Sequence, residues 1–350
     1  MSAVISAAAS GPAASQHPRR AWRPAIALLW IAVIVLGLFV PSLVGSKYVL
    51  GVLTNTIILS VAAVSVGFLA SQCGLMMFGA ASITGGATYL FAIAIARYNM
   101  DVGTATLFAL VATTALSALI GALIMRTRPL PFAMLTLALG QMLKSMVMTT
   151  DMRPITGADD GLAITFKGTF FGLTQAELGK PDTFWPVAWL AICMVLLLAW
   201  TIGRSRFGQV LRATTANEER MRFSGFNTYW PRVMAFTVTG FIGAVSGLLT
   251  GLHQAFASPE LLDFVTGGNA LISMLLGGFG TVFGPVLGAL LFVLGQERFG
   301  SSGHLELLTG VGVVLVIAVF PRGAMGFLQD CAAQLKSRLA GNRERRDVAH

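Results

Sequence analysis

The feature that most constrains this chain is a series of long stretches without a charged side chain. One extends over 49 residues, from Tyr48 to Ala96, and another over 33 residues, from Phe264 to Gln296. A helix that crosses the hydrocarbon core of a membrane needs about 20 apolar residues at about 1.5 Å each. The other long uncharged stretches have 22, 24, 21 and 27 residues, at 25–46, 102–125, 183–203 and 233–259. The chain is therefore predicted to be an all-α polytopic membrane protein with about 8–10 transmembrane helices.

Composition excludes several other classes of protein. Charged residues make up 11% of the chain, whereas soluble globular proteins carry about a quarter. A soluble enzyme, a nucleic-acid-binding module and a disordered chain do not fit these values. A membrane β-barrel does not fit either, because its strands are short segments of alternating polarity.

The basic residues are concentrated between the apolar stretches, which predicts the orientation of the chain. Cytoplasmic loops of membrane proteins carry an excess of Lys and Arg. We therefore expect both termini, 126–129 and 204–232 to be cytoplasmic, and 151–183, with three basic and five acidic residues, to be external. The expected organisation is a disordered tail at 1–24, a transmembrane domain at 25–321 and a cytoplasmic tail at 322–350.

The predicted spans follow from these stretches. The first is expected to be a retained helix rather than a signal peptide, because its apolar core exceeds the usual length of about 7–15 residues. The spans are predicted at 25–45, 50–70, 77–96, 103–125, 130–150, 184–203, 233–254 and 305–321, with 264–296 treated separately.

The 33-residue stretch at 264–296 does not fit a single span. As one helix it would be about 50 Å long, against a hydrocarbon core of about 30 Å. Glycines and a proline, at Gly277-Gly278 and Gly284-Pro285, interrupt it. We therefore expect two short segments, either a re-entrant pair or two short spans.

A second glycine-rich interruption lies in the first half of the chain, between Gly74 and Gly86. Interrupted segments in both halves of a membrane protein are typical of a pathway built by a repeat pair. The alternative is close helix packing, which small residues spaced by four permit. We favour packing for the triplet Gly243, Gly247 and Gly251, and both interpretations stay open for the triplet Gly280, Gly284 and Gly288.

A few polar side chains lie inside or beside the predicted spans. Lys144 is a basic residue within 130–150, and Gln141 is three residues away, on the same helix face. Lys144 either extends to the headgroups or faces a pathway together with Gln141. Asn55, Gln72, Thr84 and Asn269 are expected to form interhelical hydrogen bonds, with pathway lining as the alternative.

The polar segment 204–232 contains Leu211, Met221 and Phe223, which could form one apolar patch on a short helix. Charged residues surround this patch. An arginine-rich amphipathic segment beside a membrane is typical of an interfacial helix that binds anionic lipid. On composition alone, that interpretation is favoured.

Six stretches of the sequence, in order, resemble one family. The strongest begins at Ser205-Arg-Phe-Gly-Gln-Val-Leu-Arg-Ala213 and continues without gaps through Glu218 to Gly225. Together they resemble the permease subunit of ABC importers for branched-chain amino acids, of the LivM type, although residues 76–80 depart from the family pattern. The other stretches are 126–141, 156–162, 257–260, 276–288 and 320–323.

This resemblance implies a function and a set of partners. The chain would be the permease of an ATP-driven importer in the bacterial inner membrane. It would work with a second permease subunit, two ATP-binding cassette subunits and an external solute-binding protein, and would not bind nucleic acid. The sequence contains no GxxxxGK[ST] pattern, so ATP would bind to the partner subunits, and no cofactor, metal or catalytic residue is expected in this chain.

The resemblance also assigns candidate site residues. The segment 204–232 would contain the helix that docks on the ATPase, where Glu218, Glu219 and Arg222 would form ion pairs across the interface. The coupling set is Arg212, Glu218, Glu219, Arg222 and Gly225, and the pathway set is Gly79, Thr84, Gly85, Gln141, Lys144, Asn269, Gly280 and Gly284.

Other functions remain as alternatives. A stand-alone secondary transporter or channel would ordinarily carry a coupling carboxylate within a span, and none lies well inside these spans. An intramembrane enzyme would need paired acidic residues or histidines. An importer of the same family for urea or small amides fits the motifs as well as one for branched-chain amino acids.

Overall fold

The computed structural model describes residues 22–299, except 167, 171 and 279, together with 310 and 323–326. The predicted span at 305–321 and the tails at 1–24 and 322–350 lie otherwise outside the described residues. The longer helices are α1 (Trp22–Leu38), α3 (Lys47–Cys73), α4 (Ala80–Ala96), α5 (Val102–Ile124), α6 (Pro129–Met148), α9 (Pro181–Arg204), α10 (Arg206–Ala216), α12 (Tyr229–Gln254), α13 (Phe264–Gly277) and α14 (Gly284–Phe299). The short elements are α2 (Val40–Leu43), α7 (Arg153–Thr156), α8 (Gln175–Leu178), α11 (Glu218–Phe223), β1 (Leu162–Ala163) and β2 (Phe256–Ala257).

The helical architecture confirms the predicted fold class. Within the described residues, five helices are long and apolar enough to cross a membrane, namely α3, α5, α6, α9 and α12. Helices α4 and α13 are apolar but shorter. The protein is an all-α polytopic membrane protein.

Helices α3 and α12 form the centre of the bundle. Most of the apolar surface of both is buried, whereas α5 and α6 expose most of theirs. Seryl hydroxyls hydrogen-bond the two central helices to each other. Ser65 donates to the carbonyl of Thr239 at 2.8 Å, and Ser246 donates to the carbonyl of Ile58 at 2.9 Å. Both bonds join α3 to α12.

Three glycines bring α12 against α4. A Cβ at Gly243 would lie 2.8 Å from Ile83, a Cβ at Gly247 would lie 2.0 Å from the carbonyl oxygen of Thr84, and a Cβ at Gly251 would lie 3.0 Å from Phe91. Only glycine permits this approach, and the packing interpretation of the triplet is therefore confirmed.

The stretch 264–296 is broken as predicted, into α13 and α14. Helix α13 ends at Gly277, and Gly278 has a positive φ of 89°. A Cβ at Gly288 would lie 1.8 Å from the carbonyl oxygen of Ser273, so that glycine holds the two helices together. At about 1.5 Å per residue, each helix is shorter than a hydrocarbon core of about 30 Å.

The first glycine-rich interruption is also a real break. The prediction of a span from residue 77 is wrong in its start, because residues 74–79 are not helical and α4 begins at Ala80. Gly74 ends α3 in the left-handed conformation with φ 63°. A Cβ at Gly79 would lie 2.0 Å from the carbonyl oxygen of Thr136, so this segment passes directly against the backbone of α6.

The segment 151–183 folds over one end of the bundle. It contains the short helices α7 and α8 and the strand β1, which pairs with β2 in antiparallel register, Leu162 opposite Ala257. Pro181, at the start of α9, lies beside Gly51 in α3. This end of the bundle, called the 151–183 side, therefore includes the last turn of α12 and the first turns of α3.

Candidate functional site

Besides an open groove of about 460 Å³ between α9, α10 and α12, two sizeable cavities lie among the helices, and their linings differ. The larger, of about 520 Å³, lies between α4, α5 and α6 and is lined mostly by Leu, Ile and Met side chains. The smaller, of about 300 Å³, lies between α3, α4, α12, α13 and α14. We call it the polar cavity. A polar solute needs hydrogen-bonding partners in a membrane, so the polar cavity is the candidate site.

Five helices contribute polar side chains to the polar cavity. Their hydroxyl groups lie toward the interior of the bundle, whereas Asn55, Gln254 and Glu297 are exposed at the open side of the cavity. The polar side chains are Asn55 of α3, Thr84 and Thr88 of α4, Ser246, Thr250 and Gln254 of α12, Thr266 of α13, and Gln296 and Glu297 of α14.

The hydroxyls and the amides of the polar cavity play different parts. The hydroxyls are bonded to backbone carbonyls, as when Thr88 donates to Gly247 at 2.8 Å and Thr250 to Ser246 at 3.0 Å. The amides of Asn55, Gln254 and Gln296 make no side-chain hydrogen bond to another described residue. The amides therefore supply the free hydrogen-bonding capacity of the cavity.

Two of the predicted pathway residues, Thr84 and Gly85, line the polar cavity. A Cβ at Gly85 would lie 2.5 Å from the carbonyl oxygen of Leu261, so glycine is needed where the turn before α13 meets α4. The structure does not bring the other six predicted pathway residues to this cavity.

Gln141 and Lys144 of α6 lie together at Asp263, outside the lining of the polar cavity. The Lys144 ammonium is 3.2 Å from the carboxylate of Asp263, with both side chains partly exposed. The hydrogen bond from Lys144 lowers the pKa of Asp263, although burial opposes this effect, and the Gln141 amide is near enough to help lower the pKa of that carboxylate. Lys144 is thus part of an ion pair that neither interpretation of the sequence included.

The remaining predicted pathway residues are dispersed. Asn269 is half-buried on α13, and its carbonyl accepts a hydrogen bond from Ser273. Gly280 is exposed in the turn between α13 and α14, with open space around it. A Cβ at Gly284 would lie 2.2 Å from the carbonyl oxygen of Gly278, which indicates packing within that turn. Gly79 packs against α6. The pathway role of all eight residues stays a prediction.

Sequence reasoning missed most polar residues of the cavity. Three of them, Gln254, Gln296 and Glu297, lie at or near the ends of their helices. The others are the hydroxyl residues Thr88, Ser246, Thr250 and Thr266. Gln254 ends α12, where its polarity needed no special explanation. Gln296 ends the uncharged stretch and Glu297 lies one residue beyond it. For Gln296, a signal in the sequence was the helical face that it shares with Val293 at a spacing of three.

The segment 204–232 folds into two helices, α10 and α11, at the other end of the bundle. Ser205 caps α10, since its hydroxyl accepts a hydrogen bond from the backbone N–H of Gly208. The Arg212 guanidinium donates to the Gln72 side chain at 2.9 Å and to the Gly203 carbonyl at 2.7 Å. Arg212 therefore ties α10 to the ends of α3 and α9. Gln72 is confirmed as an interhelical hydrogen bonder.

The predicted coupling residues at 218–225 lie on or beside α11. The Glu218 carboxylate accepts a hydrogen bond from Arg232 at 2.9 Å and lies 3.9 Å from Arg222, so it is engaged within the chain. The Glu219 side chain is exposed and makes no hydrogen bond or ion pair with another described residue. Gly225 has φ 80°, a conformation that glycine favours in the turn that ends α11.

The predicted apolar patch of Leu211, Met221 and Phe223 is wrong. A new helix begins after Asn217, whose extended backbone and side-chain cap separate α10 from α11. Leu211 is buried against the bundle, Met221 is half-buried, and Phe223 is 91% exposed at the end of α11. Phe226 and Trp230, nearby in the chain, are also exposed. We call Phe223, Phe226 and Trp230 the aromatic tip.

Within the described part of the chain, no three His, Cys, Asp or Glu side chains are grouped to hold a metal ion. Cys73 and Cys193 are free and buried. The chemistry of the site is therefore that of hydrogen bonds, one carboxylate and aliphatic walls.

Comparison with known proteins places the chain in a family. A family described as the branched-chain amino acid transport system permease component matches residues 48–319. The high-affinity branched-chain amino acid transport system permease protein LivM of Escherichia coli K12 is 24% identical over 85% of this chain and 74% of its own length. LivM of Salmonella typhimurium is 24% identical over the same shares.

A more distant relative matches a shorter part. The autoinducer 2 import system permease protein LsrC of Yersinia pseudotuberculosis is 32% identical over 30% of this chain and 32% of its own length. No solved structure matches the chain. The family match covers most of the helical bundle, including the polar cavity. The chain therefore belongs to the permease component family of branched-chain amino acid transport systems, and it is a multi-pass membrane permease of an ABC importer.

Proposed function

We propose that this permease translocates branched-chain amino acids that an external solute-binding protein delivers. The observation that carries the proposal is the polar cavity, where free amides at the open side meet aliphatic side chains of the bundle. The LivM relatives, which are named for transport of branched-chain amino acids, support the choice of solute. Weak, dispersed polar contacts suit a solute that must enter and leave.

The proposed complex contains a second permease subunit, two ATP-binding cassette subunits and the solute-binding protein. ATP binds only to the cassette subunits, and this chain carries no cofactor. The aromatic tip and Glu219 supply exposed apolar surface and charge for docking on a cassette subunit. Arg212, Glu218, Arg222 and Gly225 hold the tip in place from within the chain.

The proposed orientation places both termini and the segment 204–232 in the cytoplasm of a bacterium, with the chain in the inner membrane. The clusters of arginine at 204–232 and 322–346 support this orientation. A reporter enzyme fused after Arg346 should be active only if it functions in the cytoplasm. Activity only of a reporter that functions outside the membrane would contradict this topology.

Reconstitution tests the transport function directly. The chain is assembled in proteoliposomes with a sister permease, cassette subunits and a solute-binding protein. Labelled leucine should accumulate only with ATP on the cassette side and with the binding protein present. Accumulation driven by an ion gradient without ATP would instead support a secondary transporter, and uptake of urea but not of leucine would overturn the choice of solute.

A further inference from the structure

We propose that the polar cavity of this single subunit is itself a binding site for a small ammonium-bearing solute, with Glu297 as the acceptor of the ammonium group. This proposal deepens the proposed function and rests on it for the identity of the solute. The described residues that line the site belong to one chain, on α3, α4, α12, α13 and α14, and Asn55, Gln254 and Glu297 lie at its exposed side.

The charge of the cavity selects the sign of the solute. Among the described residues that line it, Glu297 alone carries a charge. The Tyr48 hydroxyl, at the start of α3, donates a hydrogen bond to the Glu297 carboxylate and holds it at the 151–183 side. An ammonium group near a carboxylate gains a charge-assisted hydrogen bond, whereas an anion without an ammonium group would be repelled.

The amides of the cavity can bind the other end of a zwitterion. Gln254 and Gln296 lie near the ends of their helices, and Asn55 lies two turns inside α3. Each amide provides two N–H donors and one acceptor oxygen, and none has a side-chain partner among the described residues. Their N–H groups can donate to a carboxylate without adding a second fixed charge.

An aliphatic wall completes the site. Ile58, Leu59 and Ala62 of α3, Leu261 of the turn before α13 and Val293 of α14 line the same cavity as the amides. An apolar side chain gains free energy when it leaves water for such a wall. One carboxylate, unpaired amides and an aliphatic wall together match a small zwitterionic amino acid with an aliphatic side chain.

Protection of a cysteine measures occupancy of the cavity. Thr250 lines it and has nearly the size of cysteine, so Thr250→Cys is placed in the full importer, with Cys331→Ser to remove the thiol of the basic tail. Native Cys73 and Cys193 are buried. The rate of modification by N-ethylmaleimide is measured without ATP and without the binding protein, in the presence of L-leucine, 3-methylbutylamine or 4-methylpentanoate.

Leucine and 3-methylbutylamine should slow the modification in a saturable manner, and 4-methylpentanoate should not. Glu297→Gln should raise the half-protecting concentration of both ammonium compounds about tenfold, because it removes one charge-assisted hydrogen bond. The matched control is Glu260→Gln, an exposed carboxylate on the same side that does not line the cavity, and it should leave the concentration unchanged.

Several outcomes would overturn the proposal: no protection by either ammonium compound, equal protection by 4-methylpentanoate, or equal effects of the two glutamine variants. These failures are distinct from a failure of the proposed function. Uptake of leucine by the assembled importer without protection would overturn the in-subunit site and leave the transported solute in place. Protection without leucine uptake would support the site and contradict the proposed transport.

Discussion

The aromatic tip gives the sharpest prediction for coupling to a cassette subunit. Phe223 is 91% exposed, so its ring is hardly buried within this chain and is available to a partner. Full burial of a phenylalanine side chain contributes about 1.5–3 kcal/mol. If the ring is buried against the cassette subunit, Phe223→Ala should weaken that association roughly 10-fold to 150-fold.

The assay is a titration of detergent-solubilised permease with the purified cassette subunit. The dissociation constant is measured for the native protein, for Phe223→Ala and for Phe108→Ala. Phe108 is an exposed phenylalanine on α5, so it provides the same change away from the tip. Both variants should unfold at the native temperature, because substitutions of exposed side chains generally change stability by less than about 0.5 kcal/mol.

The two variants therefore separate docking from folding. We expect a large loss of affinity for Phe223→Ala and none for Phe108→Ala. A dissociation constant for Phe223→Ala within about threefold of the native value would be too small for a buried ring. That result would refute the assignment of the aromatic tip as the docking element.

Three further predictions concern the bundle itself. Gly247→Ala should destabilise the protein by about 1–3 kcal/mol in thermal unfolding, because its Cβ would overlap a backbone carbonyl. Gly295→Ala, with open space around it, should not destabilise the protein. Equal unfolding temperatures of the two variants would contradict this packing. Glu218→Gln should lower the stability by about 1–3 kcal/mol, since it removes the charged partner of the mostly buried Arg232; an unchanged unfolding temperature would indicate that water replaces the pair. The pKa of Asp263 is lowered in the folded protein, so its contribution to stability is complete above the unfolded pKa and is lost as the pH falls through the folded pKa. Asp263→Asn should remove this loss of stability at acid pH. An identical dependence of unfolding temperature on pH in that variant would argue against the ion pair.

The sequence was sufficient for the features that depend on local properties. The lengths of the apolar stretches predict the spans, because a helix must satisfy its own backbone in lipid over a fixed thickness. The break between α13 and α14 follows from glycines that no continuous helix of that length would carry. Capping is local as well, and the turn that follows α11 requires a positive φ at Gly225, which glycine readily adopts.

The sequence could not reveal which face of a helix meets which neighbour. Leu211 looked like part of an exposed patch, but α10 turns it into the core, because the break at Asn217 gives α10 and α11 separate orientations. Lys144 was expected to reach either the headgroups or a pathway. Its partner, Asp263, is distant in sequence, and only the position of α13 beside α6 brings the two charges together.

The polar cavity shows the same division. Thr84 and Gly85 could be selected because they lie at a glycine-rich interruption, which is a local signal. Asn55, Gln254 and Glu297 lie on three different helices; the sequence drew attention to Asn55 as a polar residue in a span, but nothing in it joined Asn55 to the other two. They form one site only because α3, α12 and α14 converge at the 151–183 side. Sequence thus determined which stretches are long and apolar enough to cross a membrane and where they break. The tertiary structure decided which polar groups meet, because convergence depends on the packing of whole helices rather than on any one of them.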